Sequence, residues 1–239
     1  MNDQSDTQEI TESNAGKILD TIYSKALDGI PQVSQSVDDL VNDYLKKYTS
    51  TENAARALVK NQVLKCGTSG FITGLGGLIT LPVAIPANIS SVLYVQMRMI
   101  AALAKMGGYD IRSDQVQTMV YICLTGQAVT DVLKDVGIKI GEKTLEAAIK
   151  KIPGSVLTKI NQRIGFRLIT KFGEKGAINL GKLVPVVGGV IGGSVDAAST
   201  IGISKSAYNV FIKTKPSLIE EDGIIAEYEE IEIVEDQNK

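Results

Sequence analysis

Hydrophobic residues recur along the first part of the chain at the three- and four-residue spacing of amphipathic helices. This spacing predicts a helix over Ala15–Ile30, which Pro31 ends, and a second helix over Ser34–Tyr48. A third helix is predicted over Ala54–Leu64, with Thr51 or Ser50 as its N-terminal cap.

The same spacing continues through the rest of the body. It predicts helices over Ile89–Met106, from the cap Ser113 onward, over Ala128–Lys151 and over Ser155–Phe172. No segment of the body alternates between apolar and polar positions as a strand would. We therefore predict an all-α protein.

Two apolar segments interrupt this pattern. Residues 66–97 form a run of 32 residues without a charge, and the run contains Pro82 and Pro86. Residues 173–202 repeat its arrangement of glycines, a Leu/Val-Pro-Val step and a long helix, which indicates an internal duplication. Because proline removes a backbone donor and crowds the preceding turn, we predict a helical bundle with two glycine-rich, proline-broken apolar helical hairpins. The glycines expected to allow close helix packing are Gly70, Gly74, Gly77, Gly188, Gly189, Gly192 and Gly193.

The first uncharged run is long enough to cross a bilayer. Its two prolines, five glycines and Asn88 favour a buried or re-entrant hairpin over a permanent transmembrane span. A state in which the hairpin opens onto lipid is the alternative.

The net charge of −2 is the result of a cancellation. Residues 1–12 carry four acids and no base, and residues 220–239 carry nine acids and one lysine. The interior, 13–219, holds 24 bases and 14 acids. We predict a disordered acidic N-terminus at 1–13, a folded body at 14–215 and an acidic tail at 216–239, although the tail's alternation of Glu and Ile also fits an edge strand.

The basic residues concentrate in 134–182, which has 11 Lys or Arg and four acids. A solvated helix face is the first interpretation, an anionic membrane surface the second and nucleic acid the third. The segment lacks aromatic interleaving and an arginine cluster, so nucleic acid is not favoured. The acidic tail is a candidate to fold back and mask this face. The predicted basic surface consists of Lys150, Lys151, Lys159, Arg163, Arg167 and Lys171.

The chain has no histidine, which removes Ser-His-Asp and Cys-His catalysis and His-ligated zinc. Cys66 and Cys123 lie in apolar helical contexts and are predicted to be buried thiols in a reducing cytosol. The acidic first ten residues do not resemble a signal peptide. These features predict a cytoplasmic protein, with peripheral attachment at the inner face of the membrane as a further possibility.

Tests for common catalytic motifs fail. The segment GAINLGKL matches the start of a phosphate-binding loop, but Leu183 stands where Mg²⁺ needs a hydroxyl. Ser69 and Ser194 have no base at a known motif spacing. Asp131 and Asp135 lie beside lysines, which favours a solvated helix face over a cation site. We predict neither a metal nor a cofactor.

Two charged positions still call for an explanation. Asp196 is the only charge between Lys182 and Lys205, and Arg98 ends the first uncharged run. We predict a buried Arg98–Asp196 ion pair, with an exposed Asp196 as the alternative. Tyr109 and Asp110 follow two glycines at the end of a helix, where Asp110 is a candidate to anchor the loop.

Three blocks together resemble the EcsC family of bacterial proteins. They are GFITGLGGLITLPVAIP, QMRMIAALAKMGGYD and KLVPVVGGVIGGSVDAAST, and the resemblance covers roughly residues 50–213. Family members usually carry an acidic residue between the two prolines, where this chain has Ala84, so no role that needs a carboxylate there is expected. The resemblance implies an EcsC-like all-α domain at 14–215 and a cytoplasmic or membrane-associated protein without an established activity.

The functional expectation is therefore a non-enzymatic, membrane-associated accessory or stress protein that engages anionic lipid or a membrane-protein partner. One alternative is a hydrolase-type enzyme that uses carboxylates such as Asp110 and Asp196. Another is a soluble module that binds nucleic acid or protein. The oligomeric state is left open.

Overall fold

The computed structural model describes residues 11–67, 87–127, 129–135, 152–172 and 191–213. In chain order the helices are α1 (Glu12–Asp28), α2 (Val37–Lys47), α3 (Thr51–Gly67), α4 (Ala87–Met106), α5 (Asp114–Leu124), α6 (Val129–Asp135), α7 (Gly154–Phe172) and α8 (Ile191–Phe211). The described ranges contain no strand, so the predicted all-α fold is confirmed. The glycine-rich stretches 68–86 and 173–190 lie outside these ranges, and the two proline-broken hairpins stay predictions.

Hydroxyl side chains fix where several helices begin. Thr11 accepts a hydrogen bond from the Asn14 backbone N–H, so α1 starts before the predicted Ala15. Of the two candidate caps for α3, Ser50 accepts from Asn53 N at 3.1 Å. Ser113 caps α5, as its position predicted.

Helix α4 is the centre of the bundle, because α1, α2, α3, α5 and α8 all pack against it. From residue 93 to residue 104 every side chain of this helix is buried. A helix that is apolar around its circumference belongs in a core, which explains why this segment lacks the polar face of the others. Helix α7 lies farther out and packs against α1 and α5.

Helices α4 and α8 run parallel to one another. The Gln96 side-chain amide donates to the Thr200 hydroxyl, and Gly107 abuts the backbone oxygen of Phe211. In both pairs the two residues are 104 positions apart in the sequence, so matching positions of the two helices lie side by side along their length. The Leu/Val-Pro-Val steps that precede them, at Pro82 and Pro185, are separated by nearly the same distance along the chain.

Both cysteines are buried thiols, as the sequence predicted. Burial raises the pKa of the Cys123 thiol to about 12. Because the thiolate is the reactive form, Cys123 is a packing residue.

Candidate functional site

A polar cleft of about 460 Å³ opens between α1, α5 and α7. Its floor and walls come from one face of α1, from the start of α5 with the loop before it, and from the N-terminal half of α7. The lining residues are Ser13, Gly16, Lys17, Asp20, Tyr23, Ser24, Leu27, Arg112, Asp114, Gln117, Gly154, Leu157, Thr158, Asn161 and Gln162.

A glycine contact holds α1 and α7 together at one end of the cleft. A Cβ atom on Gly165 would lie 2.9 Å from the backbone of Ala15, and one on Gly16 would lie 3.3 Å from the side chain of Gln162. Real Cβ atoms essentially never approach as closely as 2.9 Å, and 3.3 Å is tighter than nine in ten real Cβ contacts. The α7 residues that line the cleft all precede Gly165, so the cleft begins where this close contact ends.

Asp20 is the best-defined group in the cleft. Its Oδ1 atom accepts hydrogen bonds from Gln117 Nε2 at 2.7 Å and from the Tyr121 hydroxyl at 2.9 Å. No described residue donates to the second carboxylate oxygen, Oδ2. Desolvation in the cleft and the nearby charge of Asp114 raise the pKa of Asp20 above its usual 3.8, and the hydrogen bond from Tyr121 opposes them.

Tyr23 lines the cleft, and its ring packs against that of Tyr121. Their rings meet edge to face with centroids 5.7 Å apart, a favoured aromatic geometry. The Tyr23 hydroxyl donates to the backbone oxygen of Ile111 at 2.7 Å. Burial raises the pKa of both hydroxyl groups above the usual value of 10.0, so both stay protonated donors near neutral pH.

Asn161 supplies a second acceptor without a donor. Its Oδ1 atom is buried and has no hydrogen-bond partner. A buried polar atom without a partner costs about 1–3 kcal/mol. A donor that entered the cleft and reached this oxygen would remove that cost.

The cleft is lined by charged groups of both signs. Arg112 donates to Asp28 at 2.8 Å in an exposed ion pair at the rim. Lys17 is exposed and has no ion-pair partner within 4.0 Å among the described residues. Asp28 thus neutralises Arg112 at the rim, and inside the cleft Lys17 lies with the two carboxylates of Asp20 and Asp114.

Arg98 lies elsewhere, on the side of α4 that faces α1 and α2. It is 4% exposed and donates to the backbone oxygens of Ala26 at 3.0 Å and Ser36 at 3.4 Å. Burial lowers the pKa of Arg98, and Tyr94 opposes this effect. The side chain of Asp196 is outside the described part of the molecule, so the predicted pair stays a prediction.

Tyr109 and Asp110 form the turn after α4. Gly108 adopts φ +86°, which favours glycine, and Asp110 Oδ1 accepts from the Arg112 backbone N–H at 3.0 Å. The Tyr109 ring meets Phe211 edge to face at 5.2 Å. Neither Asp110 nor Arg98 lines the polar cleft, so the cleft and the predicted charged positions are separate features.

Three of the predicted basic residues form an exposed stripe on α7. Lys159, Arg163 and Arg167 are exposed and follow one another at four-residue intervals, which places them on one side of the helix. The face of α7 that packs into the bundle is buried through Leu157, Ile160, Ile164, Leu168 and Ile169. The side chains of Lys150, Lys151 and Lys171 fall outside the described residues.

The predicted close-packing glycines fall on residues that the structure does not describe, namely Gly70, Gly74, Gly77, Gly188 and Gly189, or on helix positions without described surroundings, Gly192 and Gly193. Sequence reasoning missed the contact between Gly16 and Gly165. It also missed Asp20, whose position among the polar residues of α1 carries no motif.

Two searches of the described residues found nothing. No group of three or more acidic or cysteine side chains is placed to hold a metal ion. None of the described helices combines the length and the apolar character that a membrane crossing needs.

The fold and the sites together define a helical bundle with a buried central helix, a mixed-charge cleft and one basic outer face. A model of the EcsC protein family matches residues 4–213, and the chain belongs to that family. The match extends the resemblance to α1 and α2, which the sequence blocks had left out. Neither the curated proteins nor the solved structures include a match.

Proposed function

We propose that this protein is a non-catalytic accessory protein that binds anionic membrane surfaces through the exposed face of α7. The observation that carries the proposal is the stripe formed by Lys159, Arg163 and Arg167. The chain has no acidic residue between positions 147 and 173, so no acid of that segment offsets the stripe.

The stripe is large enough to matter. A basic residue near an anionic bilayer contributes about 1 kcal/mol. Three such residues contribute about 3 kcal/mol, which corresponds to roughly a hundredfold in partitioning. Lys150, Lys151 and Lys171 would add to this attraction if they lie on the same side. A membrane protein with an acidic cytoplasmic face is the other partner that this surface fits.

The test is flotation of the full-length protein with vesicles of pure phosphatidylcholine or of phosphatidylcholine mixed with phosphatidylglycerol. We expect flotation only with the anionic vesicles and its loss at high salt, because exposed charges are screened. The variant K159E/R163E/R167E should not float. The control K17E/K46E/K47E makes the same change in net charge at exposed lysines of α1 and α2 and should still float.

Two results would overturn the proposal. One is the absence of wild-type protein from the anionic vesicles, and the other is equal binding of both triple variants. Retention on duplex DNA without vesicle binding would assign the stripe to nucleic acid instead.

Deletion of residues 217–239 tests whether the acidic tail masks this face. The deletion removes nine acids and one lysine. Masking predicts stronger flotation of the truncated protein with anionic vesicles. Unchanged flotation would show that the tail does not cover the stripe.

A further inference from the structure

We propose that the cleft between α1, α5 and α7 binds a small soluble zwitterion that carries a primary ammonium group and a carboxylate, such as a free amino acid. The proposal does not depend on membrane binding. It rests on the charges of both signs that line the cleft, on two acceptor oxygens that lack a donor and on the position of the cleft relative to the basic stripe.

The charges of both signs exclude ligands of one sign. A purely anionic ligand would pair with Lys17 but would meet the carboxylates of Asp20 and Asp114. A purely cationic ligand would meet the ammonium group of Lys17, which has no ion-pair partner within 4.0 Å among the described residues. A molecule with one charge of each sign satisfies both sets, because opposite charges a few ångströms apart attract and like charges repel.

The acceptors without a donor identify the cationic end. Asp20 Oδ2 has no donor among the described residues, and Asn161 Oδ1 is buried without a partner. A primary ammonium group has three N–H donors and reaches two acceptors at once. A trimethylated ammonium group has no N–H donor. The carboxylate of the ligand would then pair with Lys17, whose ammonium has no ion-pair partner within 4.0 Å in the described part of the chain.

The position of the cleft points to a soluble ligand. At 100° per residue, the cleft-lining positions 154, 157, 158, 161 and 162 of α7 lie roughly 170° around the helix from Lys159, Arg163 and Arg167. A bilayer that lay against the stripe would therefore not reach the cleft. The volume of about 460 Å³ lies in the usual range of small-molecule sites.

The experiment uses the full-length protein and saturation-transfer NMR with β-alanine, γ-aminobutyrate and 6-aminohexanoate, which differ in the distance between their charges. Butylamine and butyrate carry one charge each and serve as matched controls, and N-trimethylated γ-aminobutyrate lacks ammonium donors. We expect at least one zwitterion to saturate and to bind at least about tenfold more tightly than these three compounds.

Two single variants locate the site. Asp20→Asn removes the carboxylate, and Lys17→Met removes an exposed cation without disturbing the core. Each should weaken binding of the zwitterion at least about tenfold, whereas the control Lys46→Met on α2 should not. Three outcomes would overturn the proposal: no zwitterion that saturates below about 20 mM, equal binding of butylamine or butyrate, or unchanged binding by the Lys17→Met protein.

Discussion

Gln96 and Thr200 are joined by a buried hydrogen bond of 3.0 Å that links the centres of α4 and α8. Both side chains are at least 96% inaccessible, so neither can exchange this partner for bulk water. The bond fixes the parallel register of the two long helices. It lies two residues from Arg98, which points to the other side of α4.

The first prediction concerns this hydrogen bond. Thr200→Val keeps the side-chain shape but leaves the Gln96 amide without the Thr200 oxygen, so the free energy of unfolding should fall by about 1–3 kcal/mol. The double variant Gln96→Leu/Thr200→Val removes both polar groups, so it should recover part of the lost free energy of unfolding. Chemical denaturation of the four proteins gives the coupling energy. Strict additivity would show that the two side chains are not coupled.

A second prediction follows from the close contact between the end of α4 and the end of α8. A Cβ atom on Gly107 would overlap the backbone oxygen of Phe211. Since a backbone atom cannot rotate away, Gly107→Ala should destabilise the fold by about 1–3 kcal/mol.

The control for this prediction is Gly202→Ala in the middle of α8, where a Cβ atom would meet nothing within 4 Å. Alanine loses less backbone entropy than glycine in a helix, so this variant should be more stable by about 0.5–1 kcal/mol. Thermal unfolding measures the stability of both variants. A Gly107→Ala protein as stable as wild type would contradict the close contact.

Much of the fold could be predicted because it depends on local pattern. The apolar spacing of α1 defines its buried face, and the hydroxyl of Ser113 caps the helix that follows it. Both features can be read from a single segment of sequence. The segment 93–104 is apolar at every position except Gln96 and Arg98, which likewise indicates a central helix.

The contacts between helices could not be predicted in the same way. Gly16 and Gly165 are far apart in the sequence, and nothing in either segment shows that α1 crosses α7 there. Arg98 was predicted to pair with Asp196, whose side chain is not described, and its described acceptors are backbone oxygens at the end of α1 and the start of α2. Ala26 lies in the last turn of α1, where backbone oxygens lack intrahelical partners, whereas the Ser36 oxygen also accepts from the Leu40 backbone N–H. A pattern of side chains does not reveal such backbone acceptors. The Asp20 cleft depends on three helices meeting and has no local signal.

The third prediction tests the partners of Arg98. Replacing Arg98 with Met leaves the oxygens of Ala26 and Ser36 without this donor. The free energy of unfolding should fall by about 1–3 kcal/mol, and the melting temperature should fall with it. If Asp196 also pairs with Arg98, Asp196→Asn should lower the melting temperature markedly, and the two changes together should cost less than their sum. An unchanged melting temperature for Asp196→Asn would refute the ion pair.

The last prediction concerns the protonation of Asp20. Because its pKa is raised in the folded protein, the folded state holds this proton at a pH at which the unfolded chain has released it. The stability that Asp20 contributes is therefore complete below pH 3.8 and is lost as pH rises through the folded pKa. Carbon-detected NMR should find a midpoint above 3.8 for this carboxyl. Asp114→Asn removes a like charge and should lower the midpoint, whereas Tyr121→Phe removes a donor to the charged form and should raise it. A wild-type midpoint at or below 3.8 would mean that the cleft does not desolvate Asp20. If the two variants shift the midpoint in the same direction, the hydrogen-bonded geometry is wrong.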